Sequence, residues 1–438
     1  MPKLVKELSL GNFGGNATDY GLAAGDINDD DRPELIMRQC PGIFASSHFH
    51  PAEMTPAMVA LEDQALFYLT AMDLDGNVLW QVGEPWKLDR PYRSHAPRDV
   101  TRVCDIDGDG ANEVVYLRND GYWGRIVIAD GATGKTKKER SLPQDNFSFI
   151  GIANFLGNPT PQEMLLKPYD RSSWGYGNPA MALNKDLEVV WPQKWYKGAG
   201  HPALIFDADG DGRDEALIGY NLVDDDGKIL WTLDFPGHLD YAVAEDVDDD
   251  GEPEIVMSVG CGTGYGNMYG VLADVRGHIL WKNRYMHCEE ISIGKFRRDL
   301  PGKQIAWNMH WYDLYQGGIY CVGSDGAELW SLLDNGVGHT VNWSNDHGDD
   351  MIVYSRKPTA EKDFGYEPVL LDSYGKVVYK FPVPDTSVKD ISTPDFPVCV
   401  RKYDYGAGYT VTIFDVDMDG KDEVLIHNRR KLYIFAES

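Results

Sequence analysis

The 438-residue chain is short of three things. Cysteine is sparse: Cys40, Cys104, Cys261, Cys288, Cys321 and Cys399 are scattered, with no CxxC and no zinc-module spacing. That excludes a small fold stapled by disulfides or zinc, and buried free thiols are the expectation. Positive charge is sparse too, with 41 Lys and Arg against 69 Asp and Glu and a formal net charge of −28, which excludes nucleic acid as a partner. No run of about 18 apolar residues occurs, so no membrane partner is expected. The opening "MPKLVKELSLGN" has no long apolar core of a signal peptide. The expectation is a cytoplasmic chain, or a secreted one whose leader has been removed. What is present is ordinary for a folded protein, 43% hydrophobic and 25% charged.

Internal repetition organises the rest. The string D-x-[DN]-x-D-x-x-x-E recurs at Asp26, Asp105, Asp207, Asp246 and Asp415. Each copy follows an apolar strand ("GLAAGD", "VTRVCD", "ALIFD", "YAVAED", "TVTIFD") and precedes another ("ELIM", "EVVYL", "EALIG", "EIVMS", "EVLIH"). Degenerate copies keep the rhythm in "FIGIANFLGNPTPQEMLLK", "ISIGKFRRDLPGKQIAWN" and "TVNWSNDHGDDMIVY". Between them lie hairpins ending in tryptophan: "AMDLDGNVLW", "VDDDGKILW", "ADVRGHILW" and "VGSDGAELW". Trp80, Trp231, Trp281 and Trp330 therefore share one repeat position, which predicts core packing and not a ligand platform.

Unit starts at 26, 105, 154, 207, 246, 295, 345 and 415 give the four-strand period of a propeller blade with insertions. The expected fold is all-β: one eight-bladed β-propeller over residues 1–438, with seven blades as the alternative. The last unit has three strands, and "KLVKELSL" supplies its fourth, closing the ring by pairing the terminal strands. An insertion at about 38–64 is expected on the face opposite the acidic loops.

In each acidic loop, side-chain oxygens at positions 1, 3, 5 and 9 (carboxylates, except the amide of Asn28) and a carbonyl at position 7 converge as ligands for a hard cation. The sets are Asp26, Asn28, Asp30, Glu34; Asp105, Asp107, Asp109, Glu113; Asp207, Asp209, Asp211, Glu215; Asp246, Asp248, Asp250, Glu254; and Asp415, Asp417, Asp419, Glu423. Oxygen-only ligation of this density points to structural Ca²⁺ at several sites.

If these loops occupy one face, the blade entries and the second-to-third loops occupy the other. The entries carry His95, His201, His238, His287 and His339. The second-to-third loops carry His48 and His50; Arg118, Tyr122 and Trp123; Tyr169, Arg171 and Trp174; Tyr265; His310 and Trp311; and Arg356. Histidine, arginine and exposed aromatics together suit a sugar ring with an acidic substituent.

With these motifs the chain resembles the calcium-binding β-propeller polysaccharide lyases: rhamnogalacturonan lyases of the eight-bladed kind, and more distantly ulvan and rhamnose–glucuronate lyases. The "DIDGDGANE"-type loops are shared with FG-GAP adhesion propellers. The resemblance implies β-elimination in a uronic-acid glycan, with an acidic polysaccharide or oligosaccharide as partner and a monomeric enzyme. It implies a carboxylate clamp, a base and an acid. The expected clamp is Arg118 and Arg171, the base His50 or His95, and the acid Tyr122, Tyr169 or His201. His48, Trp174, His238, Tyr265, His287, His310, Trp311, His339 and Arg356 are expected to shape the sugar site. A non-catalytic carbohydrate-binding or adhesion propeller is the main alternative. A quinoprotein-like dehydrogenase is another, suggested by "DLDGNVLW" but lacking an adjacent cysteine pair.

Overall fold

The computed structural model describes residues 2–10, 22–39, 42–44, 68–83, 92–93, 101–119, 124–143, 147–168, 171–172, 175–261, 267–285, 287–309, 318–332, 335–357, 367–384, 410–427 and 431–438. These contain no helix and form eight four-stranded antiparallel sheets, with two small two-stranded pairings besides. The protein is an eight-bladed β-propeller, so the seven-blade alternative falls. In chain order the inner strands are Leu22–Gly25 (blade 1), Thr101–Cys104 (blade 2), Phe149–Ala153 (blade 3), Leu204–Phe206 (blade 4), Tyr241–Glu245 (blade 5), Cys288–Gly294 (blade 6), Asn335–Val341 (blade 7) and Thr410–Phe414 (blade 8). Blade 8 takes its outer strand from the other terminus: Pro2–Ser9 runs antiparallel to Lys431–Glu437, from Pro2 opposite Glu437 to Ser9 opposite Lys431.

Strand chemistry follows position in the blade. Second strands such as Glu215–Ile218, Glu254–Val259 and Gln304–Met309 are buried throughout, because neighbouring blades cover both of their faces. Outer strands such as Thr136–Ser141 are mostly exposed and charged. The buried apolar residues fall into eight clusters, one for each junction between successive blades, including the blade 8 to blade 1 junction.

The repeated tryptophans seal these junctions. Trp80, Trp231, Trp281 and Trp330 each donate Nε1–H to a turn carbonyl of the following blade: Gly131 at 2.7 Å, Val275 and Ser324 at 2.8 Å, and Ser373 at 2.9 Å. Each indole lies over that blade's turn glycine. At Gly375 (φ +71°), a Cβ would come within 2.3 Å of Trp330 Cε3. Trp191 does the same to Asp225 O at 2.9 Å, a member of the set that the repeat pattern had missed. Its own hairpin turn has Leu187 (φ 60°) where the others have glycine, and burial of that leucine in the blade 2–3 core offsets the strained backbone.

Candidate functional site

The acidic loops begin where the inner strands end, and the blade entries lie where those strands begin. In blade 5, six residues separate Asp240 from Asp246, about 20 Å at roughly 3.3 Å per strand residue. The two chemistries therefore sit on opposite faces, as the strand order implied.

All five acidic loops share one hydrogen-bonded form. The position-9 glutamate accepts the N–H of position 2: Ile27 to Glu34 (3.0 Å), Ile106 to Glu113 (3.1 Å), Ala208 to Glu215 (2.7 Å), Val247 to Glu254 (2.8 Å) and Val416 to Glu423 (2.9 Å). The first aspartate accepts the N–H of position 6, at 2.9 to 3.1 Å. All five glutamates are buried, and burial pushes their carboxyls up, those of Glu215 and Glu423 to about 7. An all-oxygen set with a buried carboxyl that resists ionisation fits a hard cation. Donor oxygens converge within 4.8 Å in Asp105, Asp107, Glu113 and in Asp207, Asp209, Glu215. In the Asp105 loop, however, Lys137 Nζ reaches Asp107 Oδ2 and Glu113 Oε1, both at 2.7 Å, so an ammonium already stands among the carboxylates.

On the other face, three of the five expected entry histidines meet at a residue absent from the sequence-based set, Asp240. Its carboxylate is fully buried and takes His201 Nε2 at 3.3 Å and His238 Nε2 at 3.0 Å on Oδ1, with His287 Nε2 at 2.9 Å on Oδ2. Cys261 Sγ lies against the same Oδ2. Burial alone would raise the Asp240 carboxyl. Hydrogen bonds from the three imidazoles outweigh it and hold the group well below the usual carboxylate range.

Backbone pairing across three blades builds this convergence. His238 and Cys261 exchange N–H···O bonds of 3.1 and 3.2 Å, extending the first ladder of blade 5. His201 N–H donates to Leu239 O at 3.1 Å, joining blade 4 to blade 5. That approach needs Gly200 (φ +49°), where a Cβ would sit 1.9 Å from Leu239 O. Behind it, Lys167 Nζ donates to Gly200 O at 2.8 Å and to His201 O. The lysine is fully buried, and burial pushes its pKa down to about 7.

The remaining expectations separate. His339 lies within the inner strand of blade 7, opposite Val353, and not at the entry to it. A strand that begins as early as Asn335 absorbs the position that in blades 4 to 6 precedes the sheet. Arg118 belongs to the second strand of blade 2, Glu113–Asn119, opposite Arg125, and not to the following loop. Arg171 and Arg356 lie in the strands Arg171–Ser172 and Met351–Lys357, their side chains outside the described residues. His48, His50, His95, Tyr122, Trp123, Tyr169, Trp174, Tyr265, His310 and Trp311 lie outside the described residues, as does most of the 38–64 insertion.

Fold and site together define a β-propeller with acidic loops on one face and a histidine–carboxylate centre on the other. No protein-family model matches the chain. Over 276 residues it is 24% identical to the rhamnogalacturonan endolyase YesW of Bacillus subtilis (strain 168), a match spanning 52% of this chain and 41% of that protein. The rhamnogalacturonan exolyase YesX of the same organism matches at the same identity, with 42% of its length covered. The chain thus spans about two-fifths of the length of the curated relatives it matches. Among solved structures, the exotype rhamnogalacturonan lyase YesX is similar with a TM-score of 0.68 at 17% identity, over 98% of this chain and 75% of that one. A Bacillus licheniformis rhamnogalacturonan lyase gives 0.61 at 16% identity, over 99% and 75%. The structural likeness gives the propeller fold.

Proposed function

We propose that the chain is a polysaccharide lyase that cleaves a uronic-acid-containing glycan by β-elimination. Rhamnogalacturonan is the first candidate, with ulvan-like and rhamnose–glucuronate glycans as the others. The observation that carries the reading is the convergence of His201, His238 and His287 on buried Asp240, on the face away from the acidic loops. The names of the relatives at 24% identity favour the same chemistry.

Elimination takes the C5 proton of the uronate, passes charge onto its carboxylate and expels the C4 oxygen. Positive charge and fixed donors must therefore face the carboxylate. The Asp240 centre supplies fixed imidazole donors, and Arg118 and Arg171 are the proposed positive clamp on the carboxylate. His201, 8% exposed and bound to Asp240, suits holding the centre better than protonating a leaving group. His50 or His95 remains the proposed base, and Tyr122 or Tyr169 the acid. The acidic loops serve as structural Ca²⁺ sites that fix the blades.

The test is absorbance of the new C4–C5 double bond on rhamnogalacturonan, polygalacturonate, ulvan and rhamnose-capped glucuronate substrates. Product on one of them, reduced about 100-fold in an Asp240→Asn variant that still folds, is expected. No product on any of the four overturns the proposal.

A further inference from the structure

We infer that Asp240, Cys261, His201, His238 and His287 form a site for one thiophilic transition-metal cation of the zinc class, and that calcium does not fit there. The assignment stands apart from the lyase reading, because the class of ion is read without substrate.

The donor set decides the class. Two groups whose donor atoms lie within 4.8 Å of one another, His201–His238–Asp240 and Asp240–Cys261–His287, share the one carboxylate. The available donors are three imidazole nitrogens, one sulfur and one carboxylate. Calcium takes six to eight oxygens, and this centre offers at most two. Imidazole, thiolate and carboxylate are the ligands of zinc and its neighbours in the transition series. The spacing agrees as well. Ligands about 2.0–2.1 Å from a five-coordinate ion lie about 2.9 to 3.6 Å apart. The imidazole nitrogens stand 2.9, 3.0 and 3.3 Å from the Asp240 oxygens, so small side-chain rotations admit an ion.

Charge balance favours the same occupant. Asp240 and Cys261 are buried, and a divalent ion that displaces the thiol proton leaves carboxylate, thiolate and metal at net zero, with neutral imidazoles completing the shell. The surroundings hold the ligands in place. The His238–Cys261 bridge fixes two of them, and the His201 amide is tied to Leu239. Calcium and this ion therefore divide the molecule by ligand chemistry, oxygen-only loops on one face and the mixed centre on the other.

The full chain, purified without chelator and then dialysed against calcium-containing buffer, is analysed for metals. About one equivalent of zinc or a similar ion is expected to persist, since calcium should not displace it. Exchange for Co²⁺ should produce a near-ultraviolet thiolate-to-cobalt band. Cys261→Ser should abolish that band and retain weaker visible bands from the imidazoles, and His287→Ala should lower cobalt affinity at least tenfold. X-ray absorption of the zinc-loaded wild type, which needs no variant to fold, should show a sulfur neighbour at about 2.3 Å. Absence of any retained transition metal, displacement by calcium, or a coordination shell without sulfur would each overturn the assignment.

Discussion

His427 gives a direct measure of how the fold treats an uncompensated base. It ends the second strand of blade 8, opposite Thr410 and Leu432, and is 8% exposed. Its Nε2 is buried without a hydrogen-bond partner. Burial disfavours the charged ring and pushes its pKa down to about 4, against 6.5 for the solvent-exposed ring of the unfolded chain. The unfolded chain therefore binds the proton more tightly, so stability is full above about pH 6.5 and is lost as pH falls toward 4. At about pH 5.5 the unfolded ring is mostly protonated and the buried ring is not, a loss of about 1 kcal/mol, and at about pH 8 the loss is close to zero. Replacing the ring by leucine removes the titration and an unpaired polar atom, so little should change at the higher pH. Urea unfolding of wild type and His427→Leu at the two pH values isolates the effect, because every other titrating group is common to both. Wild type should lose about 1 kcal/mol more than the variant between the two conditions. Equal losses would show that the ring is protonated in the fold and would refute the reasoning.

Further outcomes follow from the loops and the blade junctions. Glu215 and Glu423, raised to about 7, favour the protonated form in the fold, so their contribution is present below about pH 4.5 and is lost as pH rises through 7. A cation that holds the ionised form removes this loss. Chelator should therefore lower the melting temperature more at about pH 8 than at about pH 5, and identical shifts would sink the calcium reading of these loops. Lys137→Gln should raise the calcium bound at saturation by one ion, measured by calorimetric titration, because the ammonium leaves Asp107 and Glu113. Unchanged stoichiometry would mean that the lysine does not compete. Trp281→Phe should cost about 1 kcal/mol for the lost bond to Ser324 O. Gly375→Ala should cost about 2 kcal/mol or more, from positive φ and the collision with Trp330. Denaturant midpoints that rank these two in the opposite order would contradict the packing described.

The architecture was legible because its signals repeat. Five acidic loops and four tryptophan hairpins each carry a period, and closure by the terminal strand follows from one blade being a strand short. Trp191 escaped because Leu187 occupies a position where the pattern expects glycine. The site was half legible. His201, His238 and His287 stood out as residues ahead of an inner strand, whereas Asp240 and Cys261 did not. Asp240 is one aspartate in a chain crowded with them, and Cys261 sits in a glycine-rich run with no partner nearby in sequence. The spacing His238-x-Asp240, just ahead of the strand that leads to Asp246, was the one available clue. Lys167 closes an apolar strand, and nothing in its sequence neighbourhood reports that Gly200 and His201 turn their carbonyls toward it.

The five indole latches, on blades 1, 3, 4, 5 and 6, all point forward around the circle, each indole gripping the next blade. Assembly thereby acquires a polarity: a nascent chain can fasten blades 2, 4, 5, 6 and 7 as soon as their hairpins emerge, while the joint between last and first must wait for both ends. Losing any one blade exposes two greasy flanks at once. Partly opened rings should thus be scarce, and damaged copies should fail as wholes.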